Sequence, residues 1–300
     1  MNDNIYIPEA DMPSCEHIDR EALSRAERCG TILSSTALLC DRELDIKVRL
    51  GDRIGVIPHD ECVFDQNGVI KDIAIISRVG KPICFKVIDA SGETPILSRR
   101  LAQKECFERF VTGLKPGDVI GARITRLETF GAFCDIGCGI AALLPVDRMS
   151  VSRISHPRDR FTGGQSIKAI VRSNADGRIS LSHKELLGTW LENASRFEAG
   201  QTAAGTVRAI EPYGIFIELA PNLAGLAEVC SGVHIGDTAA VHIKSIIPQK
   251  MKVKLIIVDS FESKRATNEY SYPETDRVDY WRYSPACCDR VIETVFADGE

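Results

Sequence analysis

The chain lacks the motifs on which enzyme chemistry is usually built. No glycine-rich loop ends in Gly-Lys-Ser or Gly-Lys-Thr, no His-Glu-x-x-His pair occurs, and no Gly-x-Ser-x-Gly turn presents a serine. No pair of carboxylates stands out as an acid and a base. The expectation is therefore a protein with no catalytic residues, no metal site and no cofactor. Long apolar runs are missing too: none approaches the roughly 18 residues that span a bilayer. The start, Met1-Asn2-Asp3-Asn4-Ile5, carries no basic stretch ahead of an apolar one, so a cytoplasmic protein with no membrane partner is expected. Aromatics are scarce at 6%, with two tryptophans, which makes any clustering of them informative. Cysteine is not scarce. Eleven thiols, an odd number, argue against a complete disulfide framework and fit a reducing compartment.

What is present is a globular composition, 44% hydrophobic and 26% charged, over 300 residues, enough for two or three domains. The net charge of −5 hides an asymmetry. Segment 115–184 holds eleven Lys and Arg against six Asp and Glu, whereas 259–300 holds five against ten. A basic central module points to a polyanion there, although arginines scattered over a solvated face would give the same count.

One signature occurs twice. Phe130-Gly131-Ala132-Phe133 returns as Tyr213-Gly214-Ile215-Phe216, a spacing of 83 residues that also relates Gly117 to Gly200 and Leu143 to Leu226. Further on, Gly164, Arg172, Arg178 and Leu181 map to Gly236, Lys244, Lys250 and Val253 at a spacing of 72, so the later copy lacks 11 residues of one loop. Gly80, Leu97 and Ser98 map to Gly164, Leu181 and Ser182 at 84, which adds an earlier, more divergent copy.

Alternation and turn residues place strands at Thr31–Cys40, Ile46–Leu50, Arg53–Ile57, Ile73–Ile76, Ile83–Ile88 and Ile96–Ser98 in the first copy. The second has Val119–Leu127, Ala132–Ile136, Ile140–Leu144, Ser166–Ser173 and Ile179–Ser182. The third has Ala203–Ile210, Ile215–Leu219, Ala224–Ala227, Ala239–Ile247 and Met251–Val258. Helices are expected over Asp19–Cys29, Arg99–Val111 and Lys184–Phe197, while residues 1–17 look loose and the pattern fades after Val258. The predicted fold is mainly β: tandem five-stranded OB-fold barrels joined by short helices. The expected division is 1–30, an N-terminal segment with a short helix; 31–114, a degenerate barrel plus helix; 115–198 and 199–258, two full barrels, the first with a linker helix; and 259–300, an acidic extension.

Phe130-Gly131-Ala132-Phe133 through Ala142-Leu143-Leu144, Gly164-Gln165 and Arg178-Ile179-Ser180-Leu181-Ser182 resembles the S1 RNA-binding domain, strongly over 115–184, well over 199–258 and faintly over 30–100. Three such units, with Leu186-Leu187-Gly188-Thr189-Trp190 and the tail Trp281-Arg282-Tyr283-Ser284-Pro285, resemble the short bacterial S1-type ribosomal proteins. The resemblance implies OB-type barrels that bind single-stranded RNA, mRNA above all, with the small ribosomal subunit as a partner. Carried over by position, the RNA face of the second unit is Phe130, Phe133 and Arg178, with Asn174 where the family has aspartate and Pro145 where it has histidine. In the third unit it is Tyr213, Phe216 and Lys250, with Glu228 at the histidine position, a carboxylate that would repel phosphate and weaken that face. Arg123, Arg126, Arg172 and Lys244 complete the candidate RNA-binding set. The first unit puts Leu44 and Lys47 near the aromatic positions and Thr94 at the basic one, so packing or protein contacts are its expected role.

Rings capture bases and guanidinium or ammonium groups neutralise phosphates, a combination suited to unstacked strands and poor in sequence information. A lone phenylalanine in a strand is more often core. The pair repeated in two units favours exposure, and the Tyr213 hydroxyl suits solvent. Cys134 and Cys138, four apart with no histidine pair nearby, read as structural thiols, as do Cys287 and Cys288. His156 reads as a loop histidine, and Trp190 and Trp281 as packing residues. The competing functional reading is a protein–protein adaptor, or an accessory of an RNA-processing complex, with partly vestigial RNA faces.

Overall fold

Strands form where alternate residues can be buried. In Ile46-Lys47-Val48-Arg49-Leu50 the three apolar side chains are fully buried and the two cations point away, the period of two of a half-covered strand. The computed structural model describes residues 6–65, 71–262 and 270–296. Its contacts divide the chain into two compact units. One comprises 1–114 with 121–123 and 135–141; the other comprises 115–120, 124–134 and 142–300.

The first unit begins with α1 (Arg20–Cys29), capped by the Asp19 carboxylate on the Ala22 N–H and ended by Gly30 in the left-handed region. Strands β1 (Leu33–Cys40), β2 (Ile46–Leu50) and β3 (Arg53–Ile57), helix α2 (Asp72–Ile76), strands β4 (Pro82–Asp89) and β5 (Ile96–Ser98), and helix α3 (Arg99–Arg109) follow. The five strands close in the order β1-β2-β3-β5-β4, with β3 and β5 parallel at Val56 and Ile96. Closure removes the sheet edges.

Two expectations fail in this unit. Ile73–Ile76 is helical, burying Ile75 and exposing Ile73 and Ile76. An apolar run this short has no decisive period, and five strands already close the barrel. Residues 6–17 are anchored rather than loose. Glu9 is buried, its carboxylate accepting from Arg99 Nε at 2.7 Å, the Cys84 N–H at 3.2 Å and Arg78 Nη1 at 3.3 Å, while its own N–H donates to Asp135. The arginines beside it hold the Glu9 carboxyl below its usual range against the opposing effect of burial, whereas burial first, and then Glu9, push Asp135 up to about 6.

The second barrel contains β6 (Val119–Glu128), β7 (Gly131–Asp135), β8 (Ala141–Pro145), β9 (Ser166–Ala175) and β10 (Arg178–Ser182), closed as β10-β8-β7-β6-β9. The predicted helix over Lys184–Phe197 is broken. A single 3₁₀ turn, Lys184–Leu187, stops at Gly188, whose φ of +79° a side chain tolerates poorly, and α4 (Trp190–Ala194) restarts behind a Thr189–Glu192 capping box.

The third barrel, in the second unit, is built from β11 (Thr202–Glu211), β12 (Gly214–Ala220), β13 (Leu223–Ala227), β14 (Thr238–Ile247) and β15 (Lys252–Phe261) in the order β11-β12-β13-β15-β14. The pattern does not fade at Val258: β15 runs to Phe261, and β16 (Tyr280–Arg282) pairs with β17 (Glu293–Val295). Trp281 and Tyr283 from this tail join Trp190, Val207, Ile217 and Leu255 in one core.

A loop of the second barrel, 146–165, also reaches the third. Buried Arg160 grips Glu218 on β12 through two hydrogen bonds of 2.5 and 2.6 Å, and Arg208 adds a third at 2.9 Å. Asn222 accepts from the Val151 N–H and donates to the Lys184 and Gly188 carbonyls. Inside the same unit, His183 is fully buried, with Nδ1 3.1 Å from the Met149 carbonyl and Nε2 3.0 Å from the Tyr272 hydroxyl; burial lowers its pKa to about 4.

Candidate nucleic-acid interface

Each repeated aromatic signature is a hairpin in which the first ring sits in the turn and the second on the following strand. The glycine between them is fixed by close approach. A Cβ on Gly131 would lie 2.6 Å from the Leu144 carbonyl oxygen, and one on Gly214 2.7 Å from that of Ala227. With the backbone so pinned, alternation sends Ala132 and Cys134, or Ile215 and Ile217, into the barrel and the aromatics outward. Phe130 is 55% exposed and Tyr213 70%, while Phe133 and Phe216 are half-buried. In both barrels the two rings meet edge to face at 6.0 Å and 87°. That geometry braces the inner ring and leaves the outer one open to solvent.

The cations are placed by strand irregularities. The β9–β10 register shifts between Ser180 and Leu181, leaving Arg172 as the extra residue of a bulge; β14–β15 shifts in the same place, leaving Lys244. A bulge re-aims its side chain, and both cations are exposed. The first barrel bulges at the equivalent point, between Val87 and Asp89, but the residue there is Ile88. Arg178 opens β10, and Lys250 ends the one-turn segment before β15; both are exposed. Asn174 accepts the Gly177 N–H at 3.1 Å and shapes the turn beside Arg178. The remaining two candidates are engaged by carboxylates, Arg123 by Asp11 and Arg126 by Glu128. Pro145 ends β8, and Glu228 is exposed just beyond β13.

The first barrel brings no such group together. Leu44 occupies a turn at a φ of +66°, Lys47 is paired with Asp41 at 3.0 Å, and Thr94 lies in an exposed loop. His156 caps a 3₁₀ turn through Nδ1 at 3.0 Å, and all eleven cysteines are unpaired thiols. Among the described residues no cluster of His, Cys, Asp and Glu could hold a metal ion, and no helix is long and apolar enough to cross a membrane.

Residues 114–184 match the S1 RNA binding domain family. The chain is 30% identical over 318 aligned positions to the small ribosomal subunit protein bS1 homolog of Bacillus cereus, covering 90% of this chain and 81% of that one. The chain belongs to the bS1 family. The bS1 homolog of Bacillus subtilis is 32% identical over 218 positions, 68% of this chain and 56% of its own length, so the chain spans little more than half of that relative. Among solved structures, a Streptococcus pneumoniae multidomain protein with nucleic acid binding domains aligns with 79% of this chain and 76% of its own at 12% identity and a TM-score of 0.25. The S1 match coincides with the second barrel of this bS1-family chain, whereas the third barrel, with the same ring geometry, lies outside it.

Lys252 and Lys254 are additional exposed cations that sequence reasoning did not single out. Their alternation with buried Val253 and Leu255 is visible in the sequence as a strand pattern, which carries no signal of binding by itself.

Proposed function

We propose that this chain binds single-stranded RNA without catalysis, and that in the cytoplasm it holds mRNA for the small ribosomal subunit. The observation that carries the reading is the ring pair, built twice with the same separation and angle and with its outer ring exposed, in barrels that each expose a cation at an equivalent bulge. The family's name supports the ribosomal side of the proposal, and the S1 match supports RNA as the ligand. Stacking contributes about 1–3 kcal/mol per base. Replacing Phe130 and Phe133 by alanine is therefore predicted to weaken single-strand binding about tenfold, measured by fluorescence anisotropy, and replacing Tyr213 and Phe216 to do the same. Wild-type affinity in a variant lacking all four rings would refute the reading. Co-sedimentation of the full chain with small subunits tests the ribosomal role. The first barrel, without rings and with Ile88 at its bulge, serves as a scaffold or protein contact in this reading.

A further inference from the structure

We infer that the third barrel has a second RNA contact beside its ring pair, a lysine-lined trough along β13 and β15 that holds the sugar-phosphate strand after its bases leave Tyr213. The inference rests on the RNA-binding reading and adds to it residues on different strands from the rings.

The trough follows from how β15 leaves the barrel. It pairs with β13 only at Leu226–Lys254 and Ala227–Leu255, then continues to Phe261 paired with β14 alone. The chain after Ala227 diverges, and a cavity of about 620 Å³ opens between the two segments. Tyr213 stands in its wall, so it is continuous with the ring face. Lys244, Lys252 and Lys254 also line it, against one acid, Glu228. All three lysines are exposed. Lys252 and Lys254 point outward from alternate positions of one strand, about 7 Å apart, a spacing comparable to that of successive phosphates on an extended strand. Like charges held this close, with a single carboxylate among them, repel each other, and a polyanion relieves that repulsion. The lysines outnumber Glu228 three to one, so the carboxylate at the family's histidine position does not set the sign of this face.

The second barrel lacks the two strand lysines. The residues aligned with Lys252 and Lys254 are Ser180 and Ser182. Strand β10 ends at Ser182, which is buried with its hydroxyl donating to Glu185 at 2.5 Å, and the chain then turns back so that the His183 N–H donates to the Arg148 carbonyl.

Cys230, an exposed thiol in the trough lining, reports occupancy. Alkylation of the full chain is followed residue by residue with and without saturating oligouridine, saturation being set by anisotropy. Cys29 and Cys287, exposed elsewhere, are the internal references. RNA is expected to slow Cys230 at least fivefold and to leave the references unchanged. The surface variant Lys252→Gln/Lys254→Gln is expected to lose that protection, to bind about tenfold more weakly, and to flatten the log–log salt slope by about 1.4. RNA binding with Cys230 unprotected and the slope unchanged would overturn the trough while leaving the ring face standing. Absence of RNA binding by the wild type would overturn both. Protection of Cys230 by oligoglutamate but not by RNA would assign the trough to an acidic peptide and overturn it as an RNA contact.

Discussion

The second and third barrels carry the same ring pair and the same two cation positions, Arg172 with Lys244 and Arg178 with Lys250, and differ in the charges further along the last strand. The rings are set by the backbone, through a glycine pressed against the carbonyl of the facing strand, so the pair recurs wherever that hairpin recurs. The charges sit on outward positions that packing does not constrain. On its last two strands the second barrel exposes Arg172 and Arg178 and has Ser180 and Ser182 where the third has Lys252 and Lys254; the third exposes Lys244, Lys250, Lys252 and Lys254, and all of these but Lys250 line an open trough. A duplicated fold thus keeps its stacking geometry while its copies diverge in how they hold a phosphate chain.

The strongest way to break the comparison is to separate the copies. Glu218→Ala leaves Arg160 buried opposite no carboxylate and is predicted to cost about 3–5 kcal/mol in urea unfolding, whereas Arg126→Gln, which loses only an exposed pair with Glu128, changes stability by less than about 1 kcal/mol. Acid comes next. His183 is held neutral with its pKa depressed below the unfolded value of about 6.5, so the unfolded chain binds the extra proton first. Stability is predicted to fall as pH drops from about 6.5 to about 4, by up to about 3 kcal/mol, and the slope over that window should flatten in His183→Gln. The two ring-pair variants sharpen the comparison at the level of binding, each losing about tenfold. Loss confined to one barrel would assign RNA to that copy alone. The smallest effect tests the bulges. Arg172→Gln and Lys244→Gln should each flatten the salt slope by about 0.7, and Ile88→Gln in the first barrel should leave it unchanged.

Much of this was legible in the sequence because barrel strands repeat every second residue and the repeat fixed their register against one another. Ile46, Val48 and Leu50 could be placed inside by inspection, and the four rings outside by their recurrence. The remainder depends on contacts distant in sequence. Glu9 meets Arg99 some ninety residues away, and Trp281 enters a core begun at Val207, so neither leaves a local pattern. Ile73–Ile76 is too short to reveal its period. That Arg172 and Lys244 are bulge residues became apparent only from strand register, which composition does not encode.

The arm carrying Arg160 gives the two copies an order. Its counterpart in the third barrel, 228–237, is shorter and contains no lysine or arginine with which to grip a following barrel. A chain that repeated the third barrel would lack this clasp between its copies, because the clasp needs Arg160 on the earlier barrel and Glu218 on the later one. The sequence of the barrels along the polypeptide is therefore a syntax: one copy has become a plug, the other a socket, and a near-symmetric duplication reads correctly in only one direction.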